Sequence, residues 1–183
     1  MKGIMRGIIL LLILLLGSCA SVKNTLRPVY VTNTKKINLL PTEQLAQEYE
    51  GMQMFSGSFG DRTFSLLSYS QIDENGIYLT LMNDFGTDMG SLSYDGFSVC
   101  IDSPFFSKDI PGEYIIAEMQ NLYYDVSALK ALYKASNLLY IVNEDGSRSI
   151  YDGKKIIEEI QITDKTVKVT NYLRGYSFVI TNE

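Results

Sequence analysis

The side chains available for acid–base chemistry in this chain are carboxylates, because the sequence contains no histidine. This excludes a Ser-His-Asp triad, a Cys-His pair and any histidine-ligated metal. Two acid pairs remain: Asp84 and Asp88 flank a glycine loop, and Glu158 is adjacent to Glu159. The glycine loop lacks the ligand spacing and terminal Glu of a calcium site. Adjacent strand residues point to opposite faces, so the glutamates cannot share a site if they lie on a strand.

The carboxylate pattern therefore predicts no catalytic residue, no metal site and no cofactor. An enzyme that uses Asp84 and Asp88 is the weakest of three functional hypotheses, because a solvated turn is the favoured explanation of both residues.

Cys19 offers a different chemistry, covalent lipidation. Residues 1–18 combine a basic start with a short apolar run, which is typical of a secretory signal peptide. The four residues Leu16-Gly17-Ser18-Cys19 resemble the lipobox of bacterial lipoproteins. The resemblance implies cleavage before Cys19 and acylation of its sulfur, which anchors the protein at about 0.8 kcal/mol per buried methylene. An ordinary secretory signal with a chance cysteine is the alternative.

The predicted location is the periplasmic face of the outer membrane. Ala20 follows Cys19, in place of the Asp that retains lipoproteins in the inner membrane of many enteric-type bacteria. Cleavage after residue 18 changes the net charge from −5 to −7, because the removed segment contains two basic residues and no acid. This acidity excludes nucleic acid as a partner, so we expect the lipid anchor alone to hold the membrane.

Aromatic and methionine side chains suggest a contact site for apolar molecules. Phe105 and Phe106 are adjacent in a connection that also contains Pro104. Ordinary packing beneath a loop explains such a pair, and so does a surface for acyl chains. Both interpretations remain open at this point.

The elements that would position these residues begin after a tether. Residues 19–40 are predicted to link the lipid to a single domain over residues 41–183. A short helix is predicted from Glu43 to Gly51, with Thr42 as its cap. Cys100 lies in an apolar run and is predicted to be a buried, inert thiol.

Strands and tight turns dominate the rest of the domain. Asp95-Gly96 between alternating apolar residues predicts a hairpin with a two-residue turn. That hairpin spans Ser91–Ile101, and the other strand segments inferred from such patterns are Asp61–Tyr69, Ile77–Met82, Leu138–Val142, Arg148–Tyr151, Lys154–Ile162, Lys165–Asn171 and Tyr176–Thr181.

Two short helices, or one bent helix, interrupt the strands between residues 112 and 137. Apolar residues recur there at helical spacing, and Asp125 is predicted to cap the second helix. Strands, then helices, then strands again indicate an α+β fold.

The lipobox, the hairpins and the central helices together resemble a family of uncharacterised bacterial lipoproteins. Its members are often encoded beside aryl-polyene or fatty-acid-type biosynthetic enzymes and are thought to share the fold of the carriers LolA and LolB. The similarity spans most of residues 50–182 and is carried by Phe85 to Gly96, Ile115 to Leu132, Arg148 to Gly153, and Tyr172 to Tyr176. It implies a curved antiparallel half-barrel with short helices covering its concave face.

The leading hypothesis is a non-catalytic lipoprotein that binds or transfers a lipid-like molecule or a lipidated protein in the periplasm. The residues predicted to line its site are Phe105, Phe106, Ile115, Met119 and Leu122. The alternative is an envelope interaction or assembly lipoprotein that uses the half-barrel only as a scaffold.

Overall fold

The structure, a computed structural model, describes residues 26–103 and 111–182. The predicted signal peptide, Cys19, Phe105 and Phe106 lie outside these residues. Within the described ranges, no helix is long and apolar enough to cross a membrane.

Twelve strands and two helices make up the described chain. The strands are β1 (Val29–Tyr30), β2 (Lys36–Ile37), β3 (Tyr49–Phe59), β4 (Arg62–Asp73), β5 (Gly76–Met82), β6 (Asp88–Tyr94), β7 (Val99–Asp102), β8 (Leu139–Val142), β9 (Arg148–Asp152), β10 (Lys155–Ile162), β11 (Thr166–Asn171) and β12 (Tyr176–Asn182). The helices are α1 (Gly112–Tyr123) and α2 (Val126–Ala135).

Ten of the strands form one antiparallel sheet in the order β7-β6-β5-β4-β3-β12-β11-β10-β9-β8. It consists of two meanders, β3–β7 and β8–β12, that meet where β3 pairs with β12. The sheet is curved and does not close. In the sequence, the two helices lie between the two meanders. The α+β class predicted from the sequence is confirmed.

The helices pack on one face of this sheet, which we call the inner face. Gln53 of β3 donates from Nε2 to the Tyr123 hydroxyl of α1 at 3.0 Å. Glu158 of β10 accepts a hydrogen bond from Asn121 of α1, at 3.4 Å. Because side chains alternate along a strand, these contacts identify which residues of each strand face the helices.

The connection between the helices agrees with the sequence prediction. The backbone amide of Ala128 donates to Asp125 Oδ1 at 2.8 Å, so Asp125 caps α2 as expected. Helix α1 ends at Tyr123, where the Tyr124 amide makes the last bond, to the Gln120 carbonyl. Helix α2 begins at Val126, so the chain forms two short helices with the break at Tyr124 and Asp125.

The segment from residue 29 to residue 40, predicted as part of a tether, instead packs on the domain. Val29, Ile37 and Leu39 are all buried in the core. The Gln120 side chain donates to the Leu40 carbonyl at 2.7 Å and accepts from the Leu40 amide at 2.9 Å. The tether prediction is wrong here because apolar residues spaced through a polar stretch form a β1–β2 hairpin against α1.

The predicted helix from Glu43 to Gly51 is also wrong. A 3₁₀ turn covers only Thr42–Gln44, and the chain then enters β3 at Tyr49. The Ala46 and Gln47 amides both donate to the Tyr123 carbonyl, at 2.9 and 3.0 Å. Tertiary hydrogen bonds replace the helical ones that local propensity favoured.

Two local predictions around β6 and β7 need correction. The register pairs Tyr94 with Val99, so the hairpin loop has four residues and not two. The longer loop is stabilised by the Asp95 carboxylate, which accepts from the Phe97 and Ser98 amides at 2.9 and 2.8 Å. Cys100 is exposed, not buried, since its neighbours Val99 and Ile101 occupy the inner face.

Candidate functional site

The three predicted lining residues that the structure describes, Ile115, Met119 and Leu122, do not form one surface. Met119 and Leu122 are buried in the core at 1% and 7% exposure, while Ile115 is 37% exposed. Side chains within the packed core hold α1 on the sheet and are not free to line a binding site.

An apolar strip lies on the inner face along β3 and its two neighbours, β4 and β12. Register places Phe55 opposite both Leu66 and Ile180, and Phe178 in the same row as Phe64 across β3. Phe59 lies two residues beyond Gly57 on β3, opposite Tyr176. We call Phe55, Phe59, Phe64, Leu66 and Phe178 the aromatic strip.

The aromatic strip is open to solvent at its far end. Phe59 is 60% exposed and Phe64 is 41% exposed, whereas Phe55 and Phe178 pack against the core. The ring of Tyr176 stacks on Phe59 and on Phe178, with centroids 6.3 Å apart in both pairs. Apolar side chains that run from the core to the exposed ring of Phe59 form a surface suited to an apolar ligand.

Gly57 makes this close packing possible. A Cβ atom at this position would lie 2.4 Å from the Ser177 carbonyl oxygen and 2.7 Å from Phe178 Cβ. Only glycine allows β12 to approach β3 this closely at the centre of the strip.

A buried polar cluster lies between α1 and the sheet. Glu158 accepts from Asn171 Nδ2 at 2.8 Å and from Asn121 Nδ2 at 3.4 Å. The Tyr176 hydroxyl donates to Glu118 Oε1, while Glu118 Oε2 is buried without a hydrogen-bonding amide or hydroxyl. We call Glu118, Asn121, Glu158, Asn171 and Tyr176 the carboxyl cluster.

The electrostatics of the carboxyl cluster differ between its two acids. Burial, with the nearby charge of Glu158, raises the pKa of Glu118 well above its ordinary value. Burial also raises the pKa of Glu158, but hydrogen bonds led by that of Asn171 oppose the rise. Burial and both carboxylates raise the pKa of Tyr176, so its hydroxyl stays protonated and can donate.

Further polar groups fix the position of Asn121. Its Oδ1 accepts from the Tyr133 hydroxyl at 3.0 Å, and its carbonyl accepts from the Tyr140 hydroxyl at 3.1 Å and from Arg148. These bonds orient the Asn121 amide with its N–H groups toward Glu158.

A cavity of about 20 Å³ lies beside the carboxyl cluster. Its lining includes Tyr30, Tyr114 and Arg174, with the Arg174 guanidinium 5.4 Å from the Tyr114 ring centroid. That volume accommodates about one water molecule, not an acyl chain.

The other acid pair considered from the sequence is exposed to solvent, with Asp84 in a turn and Asp88 at the start of β6. Asp84 accepts from the Ser65 hydroxyl at 3.3 Å, and Asp88 accepts from the Gly90 amide at 2.7 Å. Across residues 26–103 and 111–182, no three acids or cysteines group as metal ligands would.

Sequence reasoning missed the carboxyl cluster, because Glu118 and Glu158 lie on different elements. One signal was present: Glu158 shares its strand parity with Ile160 and Ile162. A lone acid on the apolar side of a strand indicates a buried carboxylate with partners elsewhere in the fold.

Comparison with known families supplies the classification. The family model described as "protein of unknown function (DUF3261)" matches residues 50–183. The chain belongs to this family. The DUF3261 match begins within β3 and includes both helices, the aromatic strip and the carboxyl cluster. None of the curated proteins matches the chain.

Proposed function

We propose that this DUF3261 protein is a lipoprotein of the cell envelope that binds or transfers a lipid-like or lipidated molecule without catalysing a reaction. Lipidated Cys19 holds it at the periplasmic face of the outer membrane. The observation that supports the binding role is the aromatic strip, where two phenylalanines of the inner face remain largely exposed.

The energetics of the aromatic strip favour an apolar ligand. Apolar surface removed from water contributes about 25 cal/mol per Å², so covering the exposed rings of Phe59 and Phe64 gives useful affinity without any charged contact. The net charge of −7 after cleavage disfavours anionic headgroups as the recognised feature. An acyl chain lying along the strip satisfies both conditions.

A LolA/LolB-like architecture is part of the same proposal. An open antiparallel sheet with helices on its inner face is the arrangement that this resemblance implies. In such a carrier, the sheet supplies a fixed apolar surface and the helices determine how much of it is accessible.

Binding of a fluorescent fatty acid to the purified protein tests this function. The double variant Phe59→Ser/Phe64→Ser should bind the probe at least about tenfold more weakly, which corresponds to roughly 1.4 kcal/mol. Phe85→Ser is the matched control, because Phe85 is 93% exposed in the β5–β6 turn and lies off the aromatic strip. Equal binding by wild type and double variant would contradict the proposal.

The scaffold alternative is favoured by the small size of the inner cavity, about 20 Å³. Native mass spectrometry of protein purified gently from its own organism distinguishes the two functions. A co-purifying lipid mass supports binding or transfer of cargo, whereas a stoichiometric protein partner without lipid supports the scaffold.

A further inference from the structure

The carboxyl cluster contains two acids with no cation to neutralise them. The one ion pair in the described chain joins Lys35 to Asp152, on the surface. Arg148 donates to the Asn121 carbonyl, and Arg174 donates to the Tyr30 carbonyl, so neither guanidinium bonds a carboxylate of the cluster. Two full negative charges buried together at this site would be very costly.

Hydrogen-bond geometry assigns the charge to Glu158. Two amide N–H groups, from Asn121 and Asn171, point at its two oxygens, as an ionised carboxylate requires. Glu118 accepts only the Tyr176 hydroxyl, at Oε1, and its Oε2 has no donor. An oxygen in that position is satisfied if it carries a proton and donates it to the neighbouring carboxylate.

We propose that Glu118 and Glu158 share one proton. While this proton is bound, α1 stays packed on the inner face of the sheet; when the proton is lost, the packing of α1 loosens. A cation in place of the proton is disfavoured, since the neighbouring groups present donors to the carboxylates. The cavity beside the pair has room for one water molecule, which can accept the proton when it leaves the carboxylates.

The consequence for α1 follows from where the acids lie. Glu118 belongs to α1 and Glu158 to β10, so repulsion between two ionised carboxylates separates the helix from the sheet. The titratable or charged groups around the pair are neutral tyrosines or arginines bound to carbonyls; they are Tyr30, Tyr114, Tyr133, Tyr140, Arg148, Arg174 and Tyr176. Neither arginine is hydrogen-bonded to Glu118 or Glu158, so a second negative charge at the pair has no direct ion-pair partner.

The sign of the pH dependence follows from the direction of the shift. The folded-state pKa of Glu118 is raised above its ordinary value of 4.5. The folded protein therefore binds this proton more tightly than the unfolded chain does. Its contribution to stability is complete below pH 4.5 and is lost as the pH rises through the raised pKa.

Glu118→Gln tests the shared proton, because the amide retains the shape and donates permanently from Nε2. We expect its melting temperature to exceed that of wild type at pH 8 by about 3 °C or more and to converge with it near pH 5. Amide exchange in α1, corrected for intrinsic rates, should accelerate with pH in wild type and not in Glu118→Gln. A difference in melting temperature between wild type and Glu118→Gln that is the same at pH 5 and pH 8 would overturn the proposal.

Two further variants separate the shared proton from general effects of charge. Glu159→Gln removes the adjacent acid, whose carboxylate accepts from the Tyr172 hydroxyl on the outer side of the sheet, and should retain the wild-type pH dependence. Glu158→Gln turns an N–H group toward the Asn171 amide and should lower the melting temperature at every pH. If Glu158→Gln instead matched Glu118→Gln, the charge assignment would be wrong.

Discussion

Carboxylates in this protein take different roles according to the backbone or side-chain donors that surround them. Asp95 accepts two amides of its own loop and shapes a hairpin turn. Asp125 accepts one amide and begins a helix. Glu158 receives two side-chain amides in the interior, where an ionised group needs such donors. The surroundings, and not the residue type, determine the chemistry of each acid.

Asp125→Ala is expected to lower the free energy of unfolding by about 1 kcal/mol, because the Ala128 amide at the start of α2 loses its acceptor. Urea denaturation monitored by circular dichroism measures this change. Ser127→Ala, an exposed position two residues further on, is the control and should have little effect. Equal losses from both substitutions would show that the cap contributes nothing.

At the scale of single elements, the pairing of β3 with β12 is a contact that leaves little room for side chains. The register runs from Gln53 opposite Asn182 to Phe59 opposite Tyr176. Gly57 lies two residues before the end of β3, where the Cβ of any larger residue meets the β12 backbone. The two meanders therefore join at a place that tolerates no side chain on one strand.

Gly57→Ala should destabilise the protein by about 1–3 kcal/mol, because the added methyl group forces the β12 backbone away. Gly51→Ala provides the comparison within the same strand. A Cβ there first meets the Tyr49 hydroxyl at 3.1 Å, and that side chain can move. Thermal unfolding of both variants decides the matter, and similar melting temperatures would refute the steric explanation.

Elements defined by local signals were predicted well from the sequence. Turn residues, alternation and the Asp125 cap located β5, the C-terminal hairpins and both helices. Predictions failed where long-range contacts outweigh local propensity. Tyr49 begins a strand because β4 pairs with it at Ile72, and the tertiary bonds of Ala46 replace a helical turn.

The candidate sites were less predictable than the elements. The spacing of Ile115, Met119 and Leu122 indicated one helical face, but packing buries two of them and exposes the third. The carboxyl cluster joins Glu118 and Glu158 through an α1–β10 contact that no local pattern specifies. The open curved sheet, in contrast, agrees with the architecture inferred from the family resemblance.

For the whole molecule, the domain includes the segment before β3. Val29, Ile37 and Leu39 contribute to the same core as Met119 of α1. The Tyr94 hydroxyl also donates to the Leu40 carbonyl at 2.8 Å, which connects this segment to β6. The folded unit therefore extends at least from residue 29.

Removal of this segment provides a test at that scale. A chain that begins at residue 41 should be less stable than one that begins at residue 26 by at least about 3 kcal/mol, since three buried apolar side chains are lost. Denaturant titration of both chains measures the difference. Equal midpoints would restore residues 29–40 to the role of a tether.

The pairing of β3 with β12 also bears on the order in which the strands of the sheet assemble. Each meander consists of neighbouring hairpins, which assemble from local contacts. Strand β12 follows the other nine strands of the sheet in chain order, and it supplies both the partner of β3 and the edge that β11 needs. Until β12 pairs with it, β3 has one unpaired side of exposed backbone and half an apolar face, the combination that promotes association between chains. Completion of the sheet therefore waits for the final strand, and chaperone protection matters most in the interval before it arrives.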